Sequence, residues 1–249
     1  MAMAGHMVMN MRMMAGTIMH ITITITTITI INRNTSPMSD SSRDMMILQN
    51  WFSPAFPTGA FSYSHGLETA IQDGLVTDET HLQHWLEMLL VCGTGRNDGL
   101  FIKAAYEGAV EANRLCLALS AGKERQQESI ELARAFSQVV RASYDICLPE
   151  GLAYPVAVGM AARQADIDMR LTIQSYLQGF VGNLISVGVR AIPIGQQAGQ
   201  NCLVGLYPVI EQLMAELDTA SLDDVGSAAV MSDVMAMKHE ISIPRIYRT

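Results

Sequence analysis

Ser53-Pro54-Ala55-Phe56-Pro57-Thr58-Gly59-Ala60-Phe61-Ser62-Tyr63-Ser64-His65-Gly66-Leu67-Glu68 is the stretch around which the chain is organised. Pro54 and Pro57 oppose regular helix, because proline lacks a backbone N–H and restricts the residue before it. Gly59 follows, where the chain can turn with positive φ, and Gly66 closes the segment. Beyond it Leu67, Ala70 and Ile71 fall at i, i+3 and i+4, the spacing of a helical face. The stretch reads as a bent entry into a helix, with Ser62, Ser64, His65 and Glu68 gathered at the bend. Taken alone, its plain reading is a capped helix start in a loop.

Composition narrows what can surround that bend. The chain has 249 residues, 49% of them hydrophobic and 16% charged, which supports a buried core and argues against disorder. Aromatics are only 6% while Ala, Leu, Val and Met are plentiful. Helix formers with small residues for close packing point to an all-α protein, a single-domain bundle of about 8–10 helices. A formal net charge of −8 argues against general nucleic-acid binding, which needs a basic face. Cys92, Cys116, Cys147 and Cys202 stand far apart with no C-x-x-C pair. They read as buried thiols of a reducing, cytoplasmic compartment, not as a disulfide framework or zinc site.

Residues 1–44 differ from the rest. Eight of the 18 methionines lie in the first nineteen residues, and Ile21 to Ile30 alternates Ile and Thr with period two, a strand pattern. Half of those positions are hydroxylated, so this is not a transmembrane helix. It also lacks the continuous apolar region and cleavage site of a signal peptide. The segment is expected to be an atypical leader, disordered or an upstream extension from a mis-assigned start, with Met38 or Met45 as the true one. The folded domain is expected over 45–249.

From Met45 to Trp51 the chain reads as a short helix leading into the bend. Asp73-Gly74 stops the next helix, and Thr77 is the expected N-cap of the one after. There Leu82, Trp85, Leu86, Leu89 and Leu90 form one apolar face. His81 and His84, three apart, read as surface histidines with no third ligand to close a metal site. Gly93 to Gly99 reads as a glycine-rich break before a helix that runs from Phe101 through Gly108 to Leu119. Leu132, Phe136, Val139 and Val140 mark a further amphipathic helix, ended by Pro149. Its other face, Glu124, Arg125, Glu128, Glu131 and Arg134, reads as solvated with weak pairing. Ala153 to Ala165 is a buried helix of small residues. Leu171 to Val189 is a core helix that enters Arg190-Ala191-Ile192-Pro193-Ile194-Gly195-Gln196-Gln197-Ala198-Gly199-Gln200. Pro193 and Gly195 break it. Gln196 and Gln200, four apart, share a face of the next helix, and a buried Arg190 needs a carboxylate such as Glu68. Ala228 to Met237 packs as a short helix before the tail Lys238-His239-Glu240-Ile241-Ser242-Ile243-Pro244-Arg245-Ile246-Tyr247-Arg248-Thr249. A mixed apolar and basic tail on an acidic chain suits docking on a partner.

These stretches resemble the UreF family of urease accessory proteins. Residues 53–68 match its S-P-x-x-P-x-G-x-[FY]-[ST]-x-S-x-G-L-E signature at every fixed position. Residues 190–200 match R-x-x-P-[LI]-G-Q-x-x-[GA]-Q, and 237–249 match M-[RK]-H-E-x-x-x-x-R-[LI]-[FY]-R-[ST]. The resemblance spans about 45–249. The family has a similar glycine-rich turn ending in Asp, which implies that Asp98 caps the helix after it. Tyr154-Pro155 stands where the family usually has His-Pro, and Pro244 where it commonly has Ser. The resemblance implies an all-helical, dimerising scaffold that binds a UreD/UreH-type accessory protein. With it the chain would recruit a UreG-type GTPase, which binds the GTP, so that nickel is loaded into apo-urease. It also implies regulation of that GTPase and a share in an internal path for nickel. Ser62, His65, Glu68, Arg190, Gln196, Gln200, Lys238, His239, Glu240 and Arg245 become the partner-binding candidates, and Pro54, Pro57, Gly59, Gly66, Pro193 and Gly195 the turn formers.

No G-x-S-x-G surrounds Ser62 or Ser64, and H-E-x-x-H, P-loop and dinucleotide motifs are missing, so no catalytic residues and no cofactor of its own are expected. Nucleic acid and membrane are not expected partners. Two rival readings stay open. One is a direct nickel metallochaperone with His65 or His239 as ligands. The other is an α-helical enzyme or small-molecule binder with an apolar cavity and perturbed ionisable groups near Ser62 and His65.

Overall fold

The computed structural model describes residues 40–249, together with the backbone of 8–9 and 21–22. The last four residues form strands β1 (Val8–Met9) and β2 (Ile21–Thr22), antiparallel with Val8 opposite Thr22, in a unit of their own over residues 1–38. The rest of the expected leader up to residue 39, including the alternation after Thr22 and the start at Met38, lies outside the described residues. Residues 39–249 form the other unit, and it is all-α.

The first helix, α1 (Asp40–Trp51), begins ahead of the expected Met45. The Asp44 side chain is the reason: it is buried and accepts from Asp168 N at 3.1 Å, tying this turn to the core. Trp51 stacks edge-on against Phe136 (5.2 Å) and Tyr144 (5.8 Å). After the bend comes α2 (Leu67–Gln72). The next helix, α3 (Glu79–Cys92), is capped by Asp78, not Thr77; the Asp78 carboxylate accepts from His81 N at 2.9 Å. Its expected apolar face is buried throughout.

The glycine-rich segment is not a break. Helix α4 (Thr94–Glu107) starts inside it, and Asp98 sits one turn in, buried, accepting from the Tyr176 hydroxyl at 2.7 Å. The glycines mark close approach: a Cβ on Gly99 would lie 2.7 Å from Leu217, and one on Gly93 2.9 Å from the Ala229 side chain. The long helix expected through Gly108 is two, because Gly108 takes φ +92° and closes α4 before α5 (Ala112–Ala118). Helix α6 (Lys123–Tyr144) ends at Asp145 in the left-handed conformation, short of Pro149. Then follow α7 (Tyr154–Gln164), with Pro155 in its first turn, α8 (Met169–Ala191), α9 (Gln196–Leu217) and α10 (Val230–His239). The cysteines are free; Cys202 is buried, but Cys147 is exposed, contrary to expectation. No helix among the described residues is long and apolar enough to cross a membrane.

Helix α7 is the spine. It packs on α4 and α6, and α8 links it to α9 and α2. Its small residues make this possible: a Cβ on Gly159 would press into the Ile102 carbonyl oxygen and lie 3.0 Å from the Ala105 side chain. Gly182, on α8, has open space around it. Gly159→Ala is therefore expected to destabilise by about 2–3 kcal/mol, a fall in Tm of roughly 5–10 °C. Gly182→Ala should raise Tm slightly by removing unfolded-state freedom. Thermal unfolding followed by circular dichroism measures both, and equal effects of the two would contradict this packing.

Candidate functional site

The bend is built as its residues dictate. Phe56 N donates to Ser53 O (3.0 Å) and Thr58 N to Phe56 O (2.8 Å); Gly59 then turns with φ +78° into a short 3-10 turn over Ala60–Ser62. His65 and Gly66 both take positive φ, +54° and +78°. For histidine that conformation is costly, so something must hold it. Gly66 has a second constraint: a Cβ there would lie 2.6 Å from Ala236 N, where α10 crosses.

The tail comes back onto this bend. Arg248 N donates to Ser62 O at 2.9 Å and Ser64 N to Thr249 O at 2.8 Å, with the Ser64 hydroxyl on the same oxygen. At the centre is Glu68, 3% exposed. Its carboxylate accepts from Ile246 N (2.8 Å), Tyr247 N (3.0 Å) and the His239 Nε2 side (3.1 Å). Burial opposes ionisation of Glu68, but the Tyr247 and Ile246 amides and His239 outweigh it and hold its pKa below the usual carboxylate value. His239, fully buried, faces Glu124 with its other nitrogen at 3.3 Å.

The charged face of α6 receives the rest of the tail. Glu124 takes Arg245 at 2.6 Å, Glu131 takes Arg248 at 2.7 Å, and Glu128 accepts from the Thr249 hydroxyl at 2.6 Å. Glu240 caps the start of α6, accepting from Glu124 N at 3.0 Å, as a carboxylate at a helix N-terminus should. The expectation of a solvated face is thus corrected: Glu128 is buried and Arg125 largely so.

Glu128 joins the tail to the inside of the bend. Besides Thr249 it binds Arg125 and, at 2.9 Å, His65 Nε2. Burial works against its charge, yet Arg125 and His65 bring its pKa down to about 2. Burial and the Arg125 charge together lower the His65 pKa, so its ring is neutral and donates through Nε2–H. His65 Nδ1 is buried with no partner. A cavity of about 80 Å³ opens behind the bend, and His65, Asp98, Arg125, Tyr154, Tyr176 and Phe180 are among its lining residues. Burial drives the Asp98 pKa up to about 7, against the Tyr176 hydrogen bond. Tyr154 stacks on Phe136 and Tyr176.

Of the expected site residues, Ser62, His65, Glu68, His239, Glu240 and Arg245 come together. Lys238 reaches Asp73 at 2.7 Å on the rim. Arg190 is exposed and does not meet Glu68; it bonds Ser186 O and lies over the Tyr247 ring at 5.4 Å. His239 occupies the place expected for it. Gln196 and Gln200 are exposed at the start of α9. Glu124, Glu128, Glu131 and Arg125 were missed. The available signal was charge balance: a tail carrying Arg245 and Arg248 needs carboxylates somewhere. Among the described residues no group of three or more His, Cys, Asp or Glu side chains is placed to hold a metal ion.

A family model described as UreF matches residues 76–207. That range includes the 190–200 motif but neither the bend nor the tail. The chain is 36% identical over 220 residues to the urease accessory protein UreF of Roseobacter denitrificans, covering 87% of this chain and 99% of the relative. It is 40% identical over 210 residues to that of Cereibacter sphaeroides, covering 84% and 100%. It is 36% identical over 224 residues to urease accessory protein UreF 1 of Brucella anthropi, covering 86% and 98%.

Two outcomes follow from the carboxylates. Glu68→Gln removes the charge that three donors share and should destabilise by roughly 2–4 kcal/mol, with residues 240–249 cut first by protease. In the parent chain the contribution of Glu128 is present above about pH 4.5, the unfolded value, and is lost as pH falls toward about 2, and that of Glu68, whose folded pKa is also lowered, is lost in the same direction. Tail cleavage no faster in the variant would contradict the anchor. Asp98 has the opposite sign: its folded pKa is raised, so stability falls as pH climbs from about 4 to about 7. Asp98→Asn should therefore raise Tm at pH 8 and give a shrinking gain toward pH 5, measured by thermal unfolding across pH.

Proposed function

This chain belongs to the UreF family of urease accessory proteins, and from that premise we propose that it acts as a scaffold in urease maturation. In this reading it binds a UreD/UreH-type accessory protein, and the pair recruits a UreG-type GTPase. Nickel, as cargo, then passes to apo-urease while the partner hydrolyses GTP. This chain orders the assembly and sets when the GTPase is engaged; it works in the cytoplasm as a homodimer.

The observation that carries the reading is the way the tail is held. Buried Glu68, His239 and the α6 carboxylates secure the backbone of 239–249, while Ile241, Ile243 and Ile246 stay 82%, 95% and 85% exposed. A segment fixed so firmly with three isoleucines in water is suited to meeting an apolar partner surface. Arg190, stacked on Tyr247, carries the 190–200 segment to the same region, and Gln196 and Gln200 are free for contact on the next helix. The direct metallochaperone alternative has less behind it: His239 spends both ring nitrogens on Glu68 and Glu124, and His65 spends Nε2 on Glu128 within the field of the Arg125 charge.

Deleting 238–249 is a poor test, because it strips buried Glu68 and Glu128 of their partners and confounds folding with docking. Substitutions that touch only solvent are cleaner. Ile243→Asp and Ile246→Asp should leave Tm within about 1 °C, since exposed sites change stability little. Size-exclusion chromatography with light scattering should show a complex of the parent chain with the UreD/UreH-type and UreG-type proteins. The double variant should lose it or bind at least about tenfold more weakly, each hot-spot side chain contributing on the order of 1–2 kcal/mol. An unchanged complex would remove the tail from the docking surface.

A further inference from the structure

Buried carboxylates hold the tail from beneath, but its two sides are held differently. Residues 246–249 alternate outward and inward: Ile246 is 85% exposed, Tyr247 7% and Thr249 2%, with Arg248 outward. On one side the Arg248 guanidinium lies over the Tyr63 ring at 5.2 Å. That side is secured several times over. Arg248 also donates to the Tyr63 hydroxyl at 2.9 Å and pairs with Glu131 at 2.7 Å, and the Tyr63 hydroxyl donates to Glu131 at 3.0 Å. The other side has the Tyr247 ring, which meets the Arg190 guanidinium at 5.4 Å.

The sequence puts Arg190 where nothing else claims it. It stands in the last turn of α8, where a cation suits the negative end of a helix. It is the one charged residue from Leu171 to Ile210, so no carboxylate on its own helix or in the first turns of α9 competes for it. Its Nε donates to Ser186 O, one turn back, at 3.0 Å, and that bond sets the plane of the guanidinium. A flat cation over an aromatic face gains electrostatic attraction and covers the ring from water. Tyr247 is also the residue whose amide fills a lone pair of buried Glu68, so whatever steadies its ring steadies that bond.

We propose that Arg190 is a positioning residue for the tail: it stacks on Tyr247, keeps residues 246–249 laid down on the bend, and acts on docking through that ring and not through a contact with the partner. Its effect on docking rests on the scaffold reading. Its effect on the tail does not, and is read on the isolated chain.

Amide hydrogen exchange of the full chain, followed by NMR, reports tail opening at Ile246 and Tyr247, whose amides are bonded to Glu68. Arg190→Gln should speed exchange at these two amides about 2–5-fold, the factor carried by one exposed cation–π pair, and leave the core helices unchanged. Arg190→Lys keeps the charge without the plane and should recover part of the protection; full recovery would overturn the stacking. Tyr247→Leu should speed exchange at least as much as Arg190→Gln, whereas Tyr247→Phe, which keeps the ring, should not. The double variant Arg190→Gln, Tyr247→Leu decides the route. Exchange no faster than in Tyr247→Leu alone is expected, and additive effects would overturn action through the ring. The same cycle is then run on binding to the UreD/UreH-type protein. Arg190→Gln should weaken the parent complex and make no difference in the Tyr247→Leu background; weakening that persists there would put Arg190 on the partner and overturn the proposal. A parent chain that forms no complex would sink the scaffold reading and leave the exchange result standing. Unchanged exchange in Arg190→Gln would overturn the positioning role whatever the complex does.

Discussion

A carboxylate buried at Glu68 is the constraint on which this half of the molecule depends. Taking an ionised group out of water costs several kcal/mol, and that cost is tolerable only when its lone pairs are filled. Here the donors come from two separate places: the imidazole of His239 at the end of α10, and the amides of Ile246 and Tyr247 in the tail. Gln72, one turn on, adds a fourth at 3.3 Å. No subset suffices. Helix α10 must cross at Gly66, where no side chain would fit, before His239 can reach Glu68. The tail must then lie down before the remaining lone pairs are met. The arrangement is cooperative because a half-satisfied buried charge is worse than none.

Glu128 repeats the principle one layer deeper and connects it to the core. It faces the tail through Thr249, the bend through His65 and its own helix through Arg125. Behind them lie Asp98 and Tyr176, which belong to α4 and α8. A row of polar groups thus runs from the surface tail to the centre of the bundle, spanning residues from 64 to 249. Stability and site geometry share these groups, so their titration signs differ by position. Glu68 and Glu128 stabilise by being charged, whereas Asp98 is strained by it.

Much of the fold was legible because its causes are local. The face Leu82, Trp85, Leu86, Leu89, Leu90 announces a helix and its burial together, since both follow from one period. The errors lie where two local readings compete or where the cause is distant. Gly93 to Gly99 looked like a loop because glycine is a poor helix former; the fold uses those glycines for contact with Leu217 and Ala229 instead. The resemblance implied a cap at Asp98, but Tyr176 claims it from 78 residues away. The face Glu124, Arg125, Glu128, Glu131 has the period of a solvated surface. Periodicity cannot distinguish water from a covering segment 120 residues later. At the site, the residue types at the bend and in the tail drew notice to two segments that the structure brings into contact. Their pairing, Glu68 with His239 and not Arg190, is a tertiary fact with no local signature.

The tail shows why such an expensive anchor would persist. Extended segments of mixed composition usually fray, because few contacts oppose their conformational entropy. This one is held by its backbone amides, by buried His239 and by the ion pairs of Arg245 and Arg248 with α6. Ile241, Ile243 and Ile246 are left outward. Apolar groups that pack on nothing add no stability to the chain that carries them. What the anchor changes is the entropy of any later docking: the backbone beneath those side chains is already ordered, so burying them loses less freedom than burying a loose tail would. On the scaffold proposal, rigidity at Glu68 and exposure at the three isoleucines are two halves of one device. Weakening the first should impair the second even though Glu68 itself never meets solvent.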